Sequence, residues 1–296
     1  MGKSNEIRLM LTALLADGHV LLEDVPGTGK TVLVKALAKS IQGDFQRIQC
    51  NPDLLPTDIT GVSIYHPKQE QFVFRPGPVM TNILLVDEIN RATTKTQSAL
   101  LEAMEEKSVT VDGQPHPLPA PFLMLATQNP IDFEGTYVLP EAQLDRFMMK
   151  FSLGYPDALT EKQMVDSYSN QDPMDSISPV TDMEEFAAIQ RKVRHIHMED
   201  AVAEYAIQIV RSTREHRSVR LGASPRATLA LIQAAKAYAF IHQRDYVTPD
   251  DVKFLAPYVL SHRMSLHSNA AVSGESAAQV LSSIIEQADV PVRLEN

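Results

Sequence analysis

The sequence predicts a three-layer α/β domain with a parallel five-stranded sheet, followed by an all-helical domain. Short apolar runs alternate with segments of helical spacing in the first half of the chain. A turn rich in proline and glycine separates the first run from its helix, and from Met183 onward the apolar spacing is helical. Strands that alternate with helices form a parallel sheet covered on both faces. We therefore predict an α/β core over residues 1–154 and a helical lid over residues 155–296.

The five predicted strands are runs of strand length, and all except the second are short apolar runs. They cover residues 19–24, 45–50, 82–88, 122–126 and 148–153. Runs with so few polar residues are typical of strands that are buried on both faces of a parallel sheet. The run 82–88 is the clearest of the five, because it is apolar from Ile83 to Val86 and ends in two acids.

The predicted helices of the core have apolar residues at three- and four-residue spacing. They cover residues 9–16, 31–40 and 96–107. The segment 51–81 is interrupted by prolines and is predicted to be irregular, apart from a hairpin between residues 62–65 and 71–74. Asp112-Gly113 is a typical hairpin turn and predicts a second one.

Four helices are predicted in the lid. They cover residues 201–214, 226–241, 249–260 and 279–288. Ser224-Pro225 and Thr248-Pro249 mark two helix starts, because Ser or Thr caps a helix and proline suits its first position. An arginine series with three-residue spacing is interpreted as a solvated helix face, and an acidic partner or a subunit contact is the alternative. The series consists of Arg211, Arg214, Arg217 and Arg220.

Composition excludes several classes of protein. With 44% hydrophobic residues the chain can bury a core, and 27 Lys and Arg against 37 Asp and Glu argue against general nucleic-acid binding. The single cysteine, Cys50, forms no intrachain disulfide and fits a reducing compartment, so we expect a cytoplasmic location. No window has the apolar length of a membrane span. The run 9–16 is interpreted as a helix rather than a signal peptide, because Glu6 precedes it.

The turn Asp24-Val-Pro-Gly-Thr-Gly-Lys-Thr31 joins the first strand to its helix and predicts a phosphate-binding loop. Glycines let backbone N–H groups approach phosphates, a lysine reaches the β- and γ-phosphates, and a threonine hydroxyl binds Mg²⁺. Asp24 stands where the pattern has its first glycine. The alternative is a tight turn with no ligand. The candidate ATP-binding residues are Pro26, Gly27, Thr28, Gly29, Lys30 and Thr31.

Polar residues at the ends of two other strands complete the candidate site. Asp87 can bind Mg²⁺ together with Thr31, and Glu88 can polarise an attacking water. Asn129 follows the strand 122–126 and can orient that water. The alternatives are a solvated strand end for the two acids and a turn-forming Asn-Pro for Asn129.

Two arginines are further candidates. Arg146 lies near the end of a short predicted helix, either as a surface arginine paired with Asp145 or Glu141, or as an arginine finger that acts on the nucleotide of a neighbouring subunit. Arg226, at the start of a lid helix, either reaches the phosphates or lies on a solvated face. Spacing alone does not separate these alternatives.

These residues occur in the order of the motifs of AAA+ ATPases, and the chain resembles the MoxR family of that class. The resemblance covers almost the whole chain and makes Lys30 and Thr31 the Walker A motif, and Asp87 and Glu88 the Walker B motif. Asn129 becomes sensor 1, Arg146 the arginine finger and Arg226 sensor 2. It rests on Leu22-Glu-Asp-Val-Pro-Gly-Thr-Gly-Lys-Thr31, Phe74-Arg-Pro-Gly-Pro78, Asp87-Glu-Ile-Asn-Arg91, Glu134-Gly-Thr-Tyr137, Leu139-Pro-Glu-Ala-Gln-Leu-Asp-Arg-Phe147 and Gly222-Ala-Ser-Pro-Arg-Ala227.

The resemblance implies Mg²⁺-dependent ATP hydrolysis, a homo-hexameric ring that depends on nucleotide, and a chaperone-like role. It also implies protein clients with a von Willebrand factor A domain, and it makes 51–81 the insertion around helix 2. A nucleotide-gated scaffold with little turnover is the main alternative, and a nucleic-acid motor is disfavoured by the acidic balance. A GTPase is disfavoured because no Asn-Lys-x-Asp string occurs.

Overall fold

The structure, a computed structural model, describes residues 2–25, 27–129, 135–168, 173–272 and 274–291. The chain divides into two compact units, each assembled from three stretches. The first comprises Met1–Glu6, His19–Leu139 and Phe151–Ala188, and the second comprises Ile7–Gly18, Pro140–Lys150 and Ile189–Asn296. The sequence-based boundary after residue 154 stays a prediction.

The secondary structure alternates strands and helices in the first half and is mostly helical afterwards. The helices are α1 (Ser4–Leu15), α2 (Lys30–Ser40), α3 (Pro56–Thr60), α4 (Thr94–Glu106), α5 (Glu141–Leu144), α6 (Ala158–Tyr168), α7 (Met183–Arg194), α8 (Asp200–Glu215), α9 (Pro225–Ile241), α10 (Pro249–Leu260), α11 (Ser268–Val272) and α12 (Ala277–Gln287). The strands are β1 (Val20–Glu23), β2 (Phe45–Gln49), β3 (Gly61–His66), β4 (Gln71–Pro76), β5 (Ile83–Asp87), β6 (Ser108–Val111), β7 (Gln114–Pro117), β8 (Leu123–Gln128), β9 (Met149–Phe151), β10 (Val219–Leu221) and β11 (Ser265–Leu266).

The central sheet has five strands in the order β2-β5-β8-β1-β9. The pairs β2–β5, β5–β8 and β8–β1 are parallel. Four of the five strands lie within their predicted ranges, and β8 continues two residues beyond its predicted end at Ala126. The predicted five-stranded parallel sheet is therefore confirmed.

The middle of this sheet is fully buried, which is why its strands are almost entirely apolar. Leu85 of β5 lies opposite Leu125 of β8, and neither side chain is exposed. Each leucine buried in this way contributes roughly 1.5–3 kcal/mol relative to an exposed one. The apolar runs of β5 and β8 therefore account for much of the stability of the first unit.

The segment 51–81 has one element that the sequence analysis missed. Residues Pro56–Thr60 form α3, with proline at its start, and the Asp58 carboxylate accepts the N–H of Leu55 at 2.9 Å. These cap interactions form a short helix where the prolines alone predict irregular chain. Both predicted hairpins are present, as the antiparallel pairs β3–β4 and β6–β7.

The C-terminal region is helical as predicted, and its caps follow the sequence signals. The side chain of Ser224 accepts the N–H of Ala227 at the start of α9, and Thr248 caps α10 in the same way. One short antiparallel pair, β10–β11, was not predicted. It explains why the interpretation of the arginine series as one helix face is wrong: α8 ends at Glu215, and Arg220 lies in the extended strand β10.

No described helix has both the length and the apolar character that a membrane span requires.

His262 makes the stability of the second unit dependent on pH. Its imidazole is buried and its Nε2–H donates to the carbonyl of Phe147 at 3.0 Å. Burial, followed by the charge of Arg263, lowers the pKa of His262 well below 6.5. The unfolded chain therefore takes up a proton near pH 6.5 that the folded chain does not. The resulting stability is complete above pH 6.5 and is lost as the pH falls from there towards the folded pKa.

We expect the free energy of unfolding to fall by up to about 1.4 kcal/mol per pH unit between pH 6.5 and 5.5, the slope for one proton. His262→Gln keeps a donor for the Phe147 carbonyl and removes the titrating group, so its slope should be flatter. Urea unfolding of both proteins across this range measures the two slopes. Equal slopes would contradict the role assigned to His262.

Candidate nucleotide-binding site

The loop between β1 and α2 has the backbone of a phosphate-binding loop. Gly27 has φ 87° and Gly29 has φ 86°, values that L residues rarely adopt. A Cβ at either position would meet no described atom within 4 Å, so the glycines serve the turn itself rather than relieve crowding. No described side chain caps the N-terminus of α2. Its first N–H groups therefore remain available to an anion.

Two side chains of this loop fit a phosphate ligand. Lys30 Nζ donates to the carbonyl of Val25 at 2.9 Å, so the ammonium lies over the loop. Thr28 Oγ1 is buried, and no described group forms a hydrogen bond with it. A buried hydroxyl with no described partner at a helix N-terminus suits a phosphate oxygen. Pro26, also predicted to contact nucleotide, lies outside the described residues.

Asp24 has a structural role that explains why the first glycine of the pattern is missing. Its buried carboxylate accepts the N–H groups of Leu153 at 2.5 Å and Gly154 at 3.0 Å. It also accepts the hydroxyl of Ser152 at 2.9 Å. These three bonds fix the start of the loop to the chain that follows β9.

Asp87 ends β5, and both of its carboxylate oxygens have partners. Arg47 Nε donates to Oδ2 at 2.6 Å, and the Thr127 hydroxyl donates to Oδ1 at 3.2 Å. The Asp87 side chain is 9% exposed, whereas that of Arg47 is 48% exposed. The two donors orient a buried carboxylate towards the loop while Arg47 remains accessible to solvent.

Glu88 occupies a strained position directly after the strand. Its φ of 56° is in the left-handed region, which costs a non-glycine residue roughly 1–2 kcal/mol. The Glu88 N–H donates to the Thr127 hydroxyl at 2.9 Å, and its carboxylate lies 3.0 Å from Arg91 Nε. The turn directs the Glu88 side chain away from the strand.

The two acids also affect the pKa of the only cysteine, Cys50. Burial, then the charges of Asp87 and Glu88, raises the pKa of Cys50 to about 12. The thiol is buried and stays protonated, as expected of a packed cysteine rather than a reactive one.

One cavity of about 340 Å³ collects the loop and the strand ends. It is lined by the loop residues Gly27, Thr28, Gly29, Lys30 and Thr31, and by Asp24, Val32, Arg47, Gln49, Asp87, Glu88, Thr127 and Asn129. All of these residues belong to the first unit. The described residues that the sequence predicts for the site lie in the loop and at the ends of β5 and β8, and they thus surround one cavity.

The two predicted arginines lie in the second unit. Arg146 follows α5 and is half-buried, and Arg226 is exposed in the first turn of α9. Of their predicted neighbours, Asp145 pairs with Arg263 and Glu141 pairs with Arg220. The roles of Arg146 and Arg226 in catalysis stay predictions.

Sequence reasoning missed the three residues whose side chains bond to the two acids: Arg47, Arg91 and Thr127. Arg91 was within reach of a local argument, because it follows Glu88 by three residues in a turn. Thr127 lies two residues before Asn129, and a polar residue in a buried apolar strand is a signal for a specific partner.

The glycine loop before a helix, with a lysine, a threonine and an acidic strand end around one cavity, defines a nucleotide-binding α/β protein. Comparison with known proteins gives the family. Residues 19–149 match the ATPase family associated with various cellular activities (AAA), and residues 211–284 match the AAA lid domain. The chain belongs to the MoxR family of AAA+ ATPases.

Three relatives support this assignment. The chain is 54% identical to the protein YeaC of Bacillus subtilis, over 99% of this chain and 92% of YeaC. It is 40% identical to the chaperone MoxR1 of Mycobacterium tuberculosis, over 98% of this chain and 79% of MoxR1. The crystal structure of a candidate ATPase from Cytophaga hutchinsonii superimposes with a TM-score of 0.92 at 40% identity, covering 98% of this chain and 91% of that one.

Thr127→Val should impair the site without changing its shape. Valine lacks the hydroxyl that donates to Asp87 and accepts from Glu88, so a buried N–H loses its partner. We expect the free energy of unfolding to fall by roughly 1–3 kcal/mol and ATP turnover to fall by about tenfold or more.

The matched control is Thr127→Ser, which keeps the hydroxyl and should retain turnover within about threefold. Steady-state phosphate release and urea unfolding measure both effects. Equal turnover in the two variants would show that the hydroxyl does not organise the acids.

Proposed function

We propose that the protein hydrolyses ATP with Mg²⁺ and uses the energy to remodel or activate partner proteins in the cytoplasm. The observation that carries the proposal is the single cavity lined by Lys30, Thr31, Asp87, Glu88 and Asn129. Lys30 belongs to the phosphate-binding loop, and Thr31 and Asp87 offer oxygen ligands for a hard cation. Glu88 is an acid that can act as a base, and Asn129 supplies an amide.

The residues of the cavity fit a nucleoside triphosphate with a divalent cation. The open N-terminus of α2, the buried Thr28 hydroxyl and Lys30 provide donors for phosphate oxygens. Thr31 and Asp87 would hold Mg²⁺ through their oxygens, directly or through water. When bound, Mg²⁺ neutralises charge that develops on the phosphate oxygens.

Glu88 is the proposed base. Its turn exposes the carboxylate to the cavity, where it can accept a proton from an attacking water. Asn129 would orient the same water through its amide. Lys30 would counter negative charge on the β- and γ-phosphates during the transfer.

Arg146 and Arg226 extend the proposal beyond one chain. Arg146 would act as an arginine finger on the nucleotide of the next subunit of a homo-hexameric ring that forms with nucleotide. Arg226 would sense the γ-phosphate in its own chain. The names of the MoxR relatives support a chaperone-like role. Clients with a von Willebrand factor A domain are part of the proposal through the family resemblance alone.

A nucleotide-gated scaffold is the second candidate. The Glu88–Arg91 ion pair favours it, because a carboxylate oxygen that already accepts a guanidinium N–H at 3.0 Å is engaged and has to leave that donor before it can act on a water. In that case ATP would bind and change the assembly without appreciable turnover.

Turnover per subunit, measured with Mg²⁺ over a wide range of protein concentration, decides between the two. Hydrolysis in a ring should make turnover rise steeply with concentration. Glu88→Gln should still bind ATP but lose turnover by about 10²-fold or more, because it removes the base. Flat, near-zero turnover of the parent protein with measurable ATP binding would favour the scaffold.

Two further variants separate binding from catalysis. Lys30→Ala should lose ATP binding, because the loop loses its charge. Arg146→Ala should bind ATP nearly as well as the parent protein does. Its turnover should no longer rise with protein concentration, so that at high concentration it is about 10²-fold or more below that of the parent. Retention of that rise would remove the finger role.

A further inference from the structure

The short helix α5 is held in the second unit by polar contacts rather than by packing. None of its four residues is buried. Two carboxylates one helical turn apart, Glu141 and Asp145, face the same side. Glu141 pairs with Arg220 and accepts the hydroxyl of Ser265, and both partners of this ion pair are about half exposed. An exposed pair of this kind contributes little, so Asp145 has the larger effect on position.

Asp145 lies against a buried guanidinium. Arg263 Nε donates to Oδ1 of Asp145 at 2.7 Å, and only 2% of the Arg263 side chain is exposed. The remaining N–H groups of Arg263 donate to main-chain carbonyls of Asp145, Phe147, Met148 and Val259. Burial lowers the pKa of Arg263 to about 10, and Asp145 opposes that lowering. A buried charge of this kind is stable only with its partner in place.

The second oxygen of Asp145 reaches a different helix. The Ser224 hydroxyl donates to Oδ2 of Asp145 at 2.9 Å. Ser224 Oγ itself accepts the N–H of Ala227 and so caps α9. Arg226 is the second residue of α9, and its positive charge adds to the lowering of the pKa of Arg263. One carboxylate therefore connects the segment that carries Arg146 to the helix start that carries Arg226.

We propose that Asp145 is a positioning residue that fixes Arg146 and Arg226 relative to each other. It acts through Arg263 on one side and through Ser224 on the other. This inference rests on the proposed function of the two arginines. Its consequence is that a change sensed by Arg226 at the nucleotide of its own chain is passed to Arg146, which serves the next subunit.

Asp145→Asn tests the proposal with two measurements. The first is the ratio of affinities for ATPγS and ADP, which reports on Arg226. The second is the rise of ATP turnover with protein concentration, which reports on Arg146. Arg226→Ala should lower the first and Arg146→Ala the second. Asp145→Asn should lower both, by about fivefold or more, the size of a typical coupling between sites.

The matched control is Glu141→Gln, which removes the same charge at the start of α5, four residues before Asp145. It should leave both measurements within about twofold, because its ion pair is exposed. The double variant Asp145→Asn/Arg226→Ala should lower the affinity ratio no further than Arg226→Ala does alone. Additive losses, or equal losses in Glu141→Gln, would overturn the proposal.

Ser224→Gly provides a test if Asp145→Asn does not fold. Glycine is tolerated at a helix N-cap, and the change leaves the Asp145–Arg263 pair intact. It should lower the affinity ratio and leave the rise of turnover with concentration unchanged. Ser276→Gly, at the N-cap of α12, is its control for lost capping and should change neither measurement.

The outcomes distinguish a failure of the roles proposed for the two arginines from a failure of the positioning role of Asp145. If Arg146→Ala and Arg226→Ala change neither measurement, the proposed roles of the arginines fail, and the role of Asp145 fails with them. If both behave as proposed while folded Asp145→Asn or Ser224→Gly matches the parent protein, only the positioning role is overturned.

Discussion

The parallel register of β1, β5 and β8 is the constraint on which the nucleotide-binding site depends. Leu22 of β1 lies opposite Thr127 of β8, and Val86 of β5 lies opposite Ala126. The three strands therefore end at nearly the same level, and the glycine loop, the two acids and the amide that follow them share one edge of the sheet. Parallel strands bind ligands at this edge because their carboxyl ends meet there. A slip of one residue would turn every side chain of a strand to the opposite face.

Three aspartates, of which Asp24 and Asp87 are buried and Asp145 is partly buried, then set the direction of the chain. Asp24, Asp87 and Asp145 each lie against two or more donors, because a carboxylate removed from water needs such partners. Asp24 uses two main-chain donors and the Ser152 hydroxyl and fixes the loop, which accounts for its place in a pattern that usually has glycine. Asp87 uses side-chain donors that can rearrange, as its proposed role as a metal ligand requires. The same residue type thus serves a rigid and an adjustable role.

What the sequence could predict was local in the chain. The strands of the sheet, the caps at Ser224 and Thr248 and the phosphate-binding loop depend on residues a few positions apart, and patterns of spacing detect them. The missed contacts join distant residues: Arg47 and Thr127 are each 40 residues from Asp87, and Arg263 is 118 residues from Asp145. No single-chain pattern relates such residues, because only the folded backbone brings them together. The failed arginine face has the same cause, since the pairing of β10 with β11 ended the periodicity that the spacing predicts.

The way α5 is held suits the role proposed for Arg146, which is to act outside its own chain. Apolar packing would fix the helix by covering it, and a covered helix could not present Arg146 to a neighbour. Hydrogen bonds to Asp145 fix direction through a few atoms and leave the rest of the helix surface exposed. Because Arg263 is buried, its pairing with Asp145 is strongly favoured over separation. The segment of α5 and Asp145 is therefore expected to shift as a unit with the start of α9 rather than to loosen gradually. An element with discrete positions can carry a signal between two sites.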